Sequence, residues 1–135
     1  MYVHEHKIRP RYSETDQMGF VYYGNYATFY EIGRVESLRD LGFSYKEMEE
    51  SGVMLPVLEC NSKFLKPAKY DEQLTVKTTL KEMITVKAHF EHEIYNENNA
   101  LIHKGVVTLV FMDANSYRPC RPPKKLIELF KPYFS

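Results

Sequence analysis

Apolar positions recur along this chain at two spacings, helical first and strand-like later. From Tyr26 to Leu41 the spacing is helical. At about 100° per residue, Tyr26, Phe29, Tyr30, Gly33, Ser37 and Leu41 share one side, while Thr28, Glu36 and Arg39 turn away. Asn25 is a residue type suited to the N-cap and Gly42 to the position after the last turn. Gly33 at mid-helix costs about 1 kcal/mol relative to alanine, so close packing against a sheet is the expected compensation. Ser44 to Glu47 forms a capping-box pattern and predicts a short helix to about Glu50, stopped by Gly52.

Beyond Gly52 the period drops to two. Val53–Leu65 is an apolar-rich stretch broken by Pro56. Leu74, Val76, Thr78 and Leu80 alternate onto one face, and Val86, Ala88, Phe90, His92 and Ile94 do the same along 85–95. Asn96–Asn99 signals a turn that pairs the strand at about 100–112 back as a hairpin. Residues 2–12 read as a strand that Pro10 confines to an edge or an end. Pro122 and Pro123 open a short closing helix to Phe130. The economical arrangement is one α+β domain over residues 1–135, with a sheet curled around the long helix.

Composition narrows the function. Lys+Arg and Asp+Glu both number 18, which gives no electrostatic case for nucleic acid as a partner. No segment approaches the roughly 20 apolar residues that span a bilayer, and the N-terminus lacks a signal-peptide run, so a cytoplasmic protein without a membrane span is expected. Cys60 and Cys120 make neither a disulfide framework nor a metal motif, and no Cys/His/Asp spacing completes a metal set. The histidines read as core or surface residues, with His89 and His92 on opposite faces of one strand. The load of 11 Tyr and 8 Phe suits a packed sheet and a subunit interface.

Candidate chemistry concentrates in residues 11–26, Arg-Tyr-Ser-Glu-Thr-Asp-Gln-Met-Gly-Phe-Val-Tyr-Tyr-Gly-Asn-Tyr. Asp16 sits on a Gly-containing loop just ahead of a helix start, where backbone N–H groups lack partners and a partial positive charge gathers. Such an arrangement can polarise a carbonyl beside a base or nucleophile, which points to acyl transfer.

The segment Tyr12–Arg34 resembles the hotdog-fold acyl-CoA thioesterases, and most of all the 4-hydroxybenzoyl-CoA thioesterase family with its Tol-Pal-associated members. Its acid-containing turn, the V-Y-Y-G-N-Y run and the Glu31/Arg34 pair carry that likeness. A second block, Lys63–Val76, is similar to the family's K-P-A-x-x-D-x-L-x-V strand–turn–strand. The resemblance implies a five-stranded antiparallel sheet wrapped around one long central helix. It also implies a homodimer or homotetramer with sites between subunits, and neither metal nor organic cofactor. The substrate implied is an acyl-CoA, with acyl-carrier-protein thioesters as an open alternative.

By the same resemblance Asp16 attacks the thioester or activates water; its alternative role is to shape the loop as an Asx-turn residue. Tyr23 matches the position whose backbone N–H donates to the thioester oxygen, and the histidine that many Tol-Pal-associated members carry there is absent. Gly19, Phe20 and Val21 form the turn into the helix. Asn25 and Tyr26 match the family's N-Y, with helix capping as the alternative for Asn25. Glu31 and Arg34, at i and i+3, are expected to pair on the flank of the apolar face, and Glu31 is the reserve carboxylate. Lys63, Lys66 and Lys69 cluster around Pro67 as candidate partners for the coenzyme's phosphates, or as a solvated surface. A non-catalytic acyl-CoA-binding or protein-interaction module is the reading from another class. A hydratase of the same fold is weaker, because the Asp and downstream His of that class are not found in one motif.

Overall fold

The computed structural model describes residues 1–135, with strands β1 (Tyr2–Ile8), β2 (Val53–Met54), β3 (Val57–Phe64), β4 (Leu74–Leu80), β5 (Lys87–Tyr95), β6 (Leu101–Val110) and β7 (Met112–Asp113). Its helices are α1 (Tyr26–Leu41), α2 (Tyr45–Glu50) and α3 (Lys124–Phe130). Five strands form one sheet in the order β1-β4-β5-β6-β3, every neighbouring pair antiparallel. This is the α+β hotdog arrangement expected from the sequence, with α1 in the concave face of the sheet.

The inner face of α1 buries Tyr26, Phe29, Tyr30, Gly33, Arg34, Ser37 and Leu38. Fully burying an apolar side chain such as Phe29 or Leu38 stabilises the fold by about 1.5–3 kcal/mol each. Gly33 sits where a side chain has no room: a Cβ there would lie 2.5 Å from Thr78 Oγ1 and 3.0 Å from Val76 Cγ1 of β4. Gly105 of β6 makes the matching concession for the Tyr30 ring. At the far end Gly42 takes φ 105° and returns its N–H to the Leu38 and Arg39 carbonyls, closing the helix as expected. The Tyr2 hydroxyl donates to the Ser37 carbonyl at 2.7 Å, tying edge strand β1 to α1.

Three expectations change. Val53–Leu65 divides at Pro56: β2 leaves the main sheet to pair with β7, and only β3 joins β6. Strand β5 starts at Lys87, so Val86 stays outside it and is exposed, while Ala88, Phe90, His92 and Ile94 are buried. Glu31 and Arg34 do not pair. Glu31 is exposed, whereas Arg34 is buried and donates from Nε to the Tyr45 hydroxyl of α2 at 3.3 Å. The helix lies deep enough in the sheet to carry Arg34 beneath α2, away from its neighbour one turn back.

Candidate active site

The loop from Tyr12 to Asn25 reaches α1 through a web of backbone bonds. Glu14 O accepts from Tyr22 N–H and from the Asn25 side-chain amide, each at 2.8 Å. Val21 N–H donates to Ala68 O at 2.8 Å, and Phe20 pairs with Lys69 in an isolated bridge. The 16–21 segment is thereby laced to the 68–69 segment. Gly19 takes φ 80° at the turn, the conformation its lack of a side chain favours.

Asn25 differs from the capping expectation. Its backbone is already helical (φ −81°, ψ −13°) and its side chain caps nothing, because the Glu14 carbonyl claims it. A single 3-10 turn, Tyr23–Asn25, leads into α1 instead. The backbone N–H groups of Tyr23 and Gly24, at the head of that turn, have no acceptor within the chain. They are the free donors that a helix start supplies.

Asp16 Oδ1 accepts from Met18 N–H at 2.9 Å and, more weakly, from Phe20 N–H at 3.4 Å, which is the Asx-turn geometry. Oδ2 has no partner in the chain. The loop-shaping role therefore occupies one oxygen and leaves the other.

Asp16, Phe20, Val21, Tyr23 and Tyr26 line a cleft of about 460 Å³ whose opposite wall is Phe64, Leu65, Lys66 and Pro67. Eight of its eleven lining residues are hydrophobic, and Asp16 is the one carboxylate among them. Glu31, the reserve carboxylate, is not among those lining residues. Of the three lysines, Lys66 reaches the cleft and Lys69 joins it through the Phe20 bridge. Lys63 stands opposite Lys104 in β6, between Ser62 and Phe64, which meet Tyr30 and Tyr26, so its side chain takes the other face of the sheet.

Sequence reasoning missed the layer beneath the cleft. His103 of β6 stacks on the Tyr26 ring (4.0 Å between centroids) and meets the edge of Phe64 at 4.7 Å. The Tyr30 hydroxyl bonds to His103 Nε2 and to Ser62 Oγ, the latter at 2.6 Å. Next to it His92 stacks on Tyr30 at 5.0 Å and bonds through Nδ1 to Thr78 Oγ1 at 3.1 Å. Burial holds both imidazoles neutral, lowering His103 to about 4 and His92, which also feels the Arg34 cation, to about 3. Burial likewise pushes the Tyr30 hydroxyl up to about 12. The only sequence signal for His103 was its place among the inward positions of a strand otherwise filled by Leu101, Gly105, Val107 and Leu109.

An apolar cleft with one carboxylate, beside a helix start with unclaimed backbone donors, is the arrangement an acyl-group hydrolase would need. Comparison with known proteins agrees. Residues 10–130 match the thioesterase-like superfamily. The chain is 38% identical over 119 residues to "Putative acyl-CoA thioesterase YneP" of Bacillus subtilis, covering 88% of this chain and 86% of that one. It is 34% identical over 130 residues to the chloroplastic acyl-acyl carrier protein thioesterase ATL2 of Arabidopsis thaliana, covering 94% of this chain and 68% of that one. A crystal structure of DHNA-CoA thioesterase from Staphylococcus aureus superposes with a TM-score of 0.86 at 34% identity, over 99% of this chain and 85% of that one. The chain belongs to the thioesterase-like superfamily and is a thioester hydrolase of the hotdog fold.

Proposed function

We propose that this protein hydrolyses acyl-CoA thioesters to a carboxylic acid and free coenzyme A, acting as one domain over residues 1–135. The observation that carries this reading is Asp16, with one oxygen unclaimed, on the same apolar cleft as the Tyr23 turn. In the reaction the thioester carbonyl oxygen takes the Tyr23 N–H, a donor worth about 3–4 kcal/mol of barrier if it is aimed at the developing oxyanion. Asp16 then serves in one of two ways. As nucleophile, its carboxylate adds to the carbonyl carbon, the C–S bond breaks, coenzyme A leaves as thiolate, and water cleaves the resulting anhydride. As base, it takes a proton from a water that adds to the same carbon, after which the C–S bond breaks and coenzyme A leaves, taking up that proton as the free thiol. Phe20, Val21 and Tyr26 wall the acyl group, and Asn25 holds the loop through the Glu14 carbonyl. Lys66 on the cleft wall and Lys69 on the adjoining bridge are the cations placed to meet phosphate charge, while Lys63 takes the other face of the sheet.

The reading includes a homodimer. Strand β3 is a sheet edge exposed on both faces, with Val57, Leu58 and Phe64, and Leu65 just beyond it, each about half-exposed. An unpaired apolar edge of this kind invites a second strand. Since Phe64 and Leu65 also line the cleft, a partner seated there would complete the site.

The relative that acts on acyl-acyl carrier protein makes a carrier-protein thioester the second candidate substrate. A panel of short, long and aromatic acyl groups on both carriers, read by free-thiol release, tests the proposal. Release from the CoA series supports it, and release from the carrier-protein series alone transfers the activity to that carrier. Acyl-CoA binding without release from any member would make this a binding module.

A further inference from the structure

Resting on the acyl-CoA reading, one exposed feature bears on which carrier the protein takes. Tyr12 and Tyr70 stack face to face, 4.2 Å between centroids and 19° between planes, yet Tyr12 is 77% exposed and Tyr70 44%. They stand in an open groove of about 640 Å³ shared with Arg9, Arg11, Ser13 and Asp71. Two large rings held parallel in water, with a face left bare, make a stacking platform that the fold itself does not use.

The charges around it are unequal. Arg9 is committed, donating to the Asp71 carbonyl at 2.7 Å and lying 3.8 Å from Glu97. Arg11 has no carboxylate within ion-pair distance, and neither has Lys69, next to Tyr70. A planar aromatic surface beside an uncommitted guanidinium suits a ligand with a flat base and phosphates.

The platform is also continuous with the cleft. Phe20 with Lys69 and Val21 with Ala68 zip two segments together. The Asp16 cleft opens at the Pro67 end of this seam and the tyrosine pair stands at the Tyr70 end. Those two residues are three apart in the chain, so at most about 10 Å separates them. A carrier arm that left the cleft along this seam would reach the rings.

We propose that the Tyr12–Tyr70 pair with Arg11 seats the adenine nucleotide of coenzyme A, the base stacked on the bare face of Tyr12 and a phosphate on Arg11. A carrier-protein thioester has the pantetheine arm but no adenine, so this platform favours the CoA ester.

Two readings test it: calorimetric binding of adenosine 3′,5′-bisphosphate, and KM for an acyl-CoA the protein turns over, in wild type, Tyr12→Ala, Tyr12→Phe and Arg11→Gln. Base–aromatic stacking predicts about tenfold weaker nucleotide binding and a KM higher by about as much in Tyr12→Ala, with Tyr12→Phe close to wild type. Arg11→Gln weakens binding and makes what remains less sensitive to salt. Nucleotide affinity unchanged in Tyr12→Ala, or absent in wild type, overturns the platform even where thiol release continues. A protein that binds the nucleotide through Tyr12 yet releases no thiol keeps the platform and overturns the hydrolase.

Discussion

His92 and His103 enter the interior as neutral rings, and that choice has a cost that pH exposes. Above the unfolded value near 6.5 neither the folded nor the unfolded chain protonates them, and they add no pH dependence. Below it the unfolded chain takes up protons that the folded chain refuses until about 4 for His103 and about 3 for His92. Stability therefore falls as pH drops from 6.5 towards 4, approaching about 1.4 kcal/mol per pH unit for each ring. Urea midpoints at pH 7, 6 and 5 should fall on this schedule, with a shallower slope in His92→Asn; a flat profile would show that the rings are solvated. The place of Asp16 on a turn ahead of the helix was legible in the sequence because that loop is local. Asn25 was not: it is a good cap by type, but the folded loop puts the Glu14 carbonyl within its reach. Arg34 escaped for a similar reason, since its partner Tyr45 lies on another helix.

At the level of elements, Gly33 decides how deeply α1 sits. On an exposed helix, Gly→Ala would gain about 1 kcal/mol. Here the added methyl meets Thr78 and Val76, and overpacking of that kind costs about 1–3 kcal/mol, so Gly33→Ala should lower stability by up to about 2 kcal/mol net in chemical denaturation. A gain would mean that the helix rides higher on the sheet than described. Strand β3 is the other telling element. Leu58→Lys places a charge on its exposed apolar face and should shift the protein towards monomer in sedimentation, with thiol release reduced alongside. A Leu58→Lys protein that keeps its wild-type mass and rate would remove β3 as the interface. The period-two stretches of β4 and β5 were readable because one face of each is buried. The break at Pro56 was visible, but not the departure of β2, which depends on finding β7 some sixty residues later.

On the scale of the whole molecule, the sheet holds a long helix whose N-terminal turn lies beside an apolar cleft, and the chain's charge is balanced, so on the proposed reading phosphates are met by local cations such as Lys66 and Arg11. The architecture was legible because a repeated alternation and one amphipathic helix leave few ways to bury both. The imidazole layer under Tyr26 was not, because it arises only when β6, β3 and α1 meet.

The most direct test of the central claim is thiol release from acyl-CoA by wild type and Asp16→Asn side by side. Asparagine keeps an oxygen for the Met18 N–H, so the loop is retained while the charge is lost. With thermal unfolding unchanged, a fall in kcat of about 100-fold or more is predicted. Equal rates in the two folded proteins would contradict the account and remove Asp16 from the chemistry.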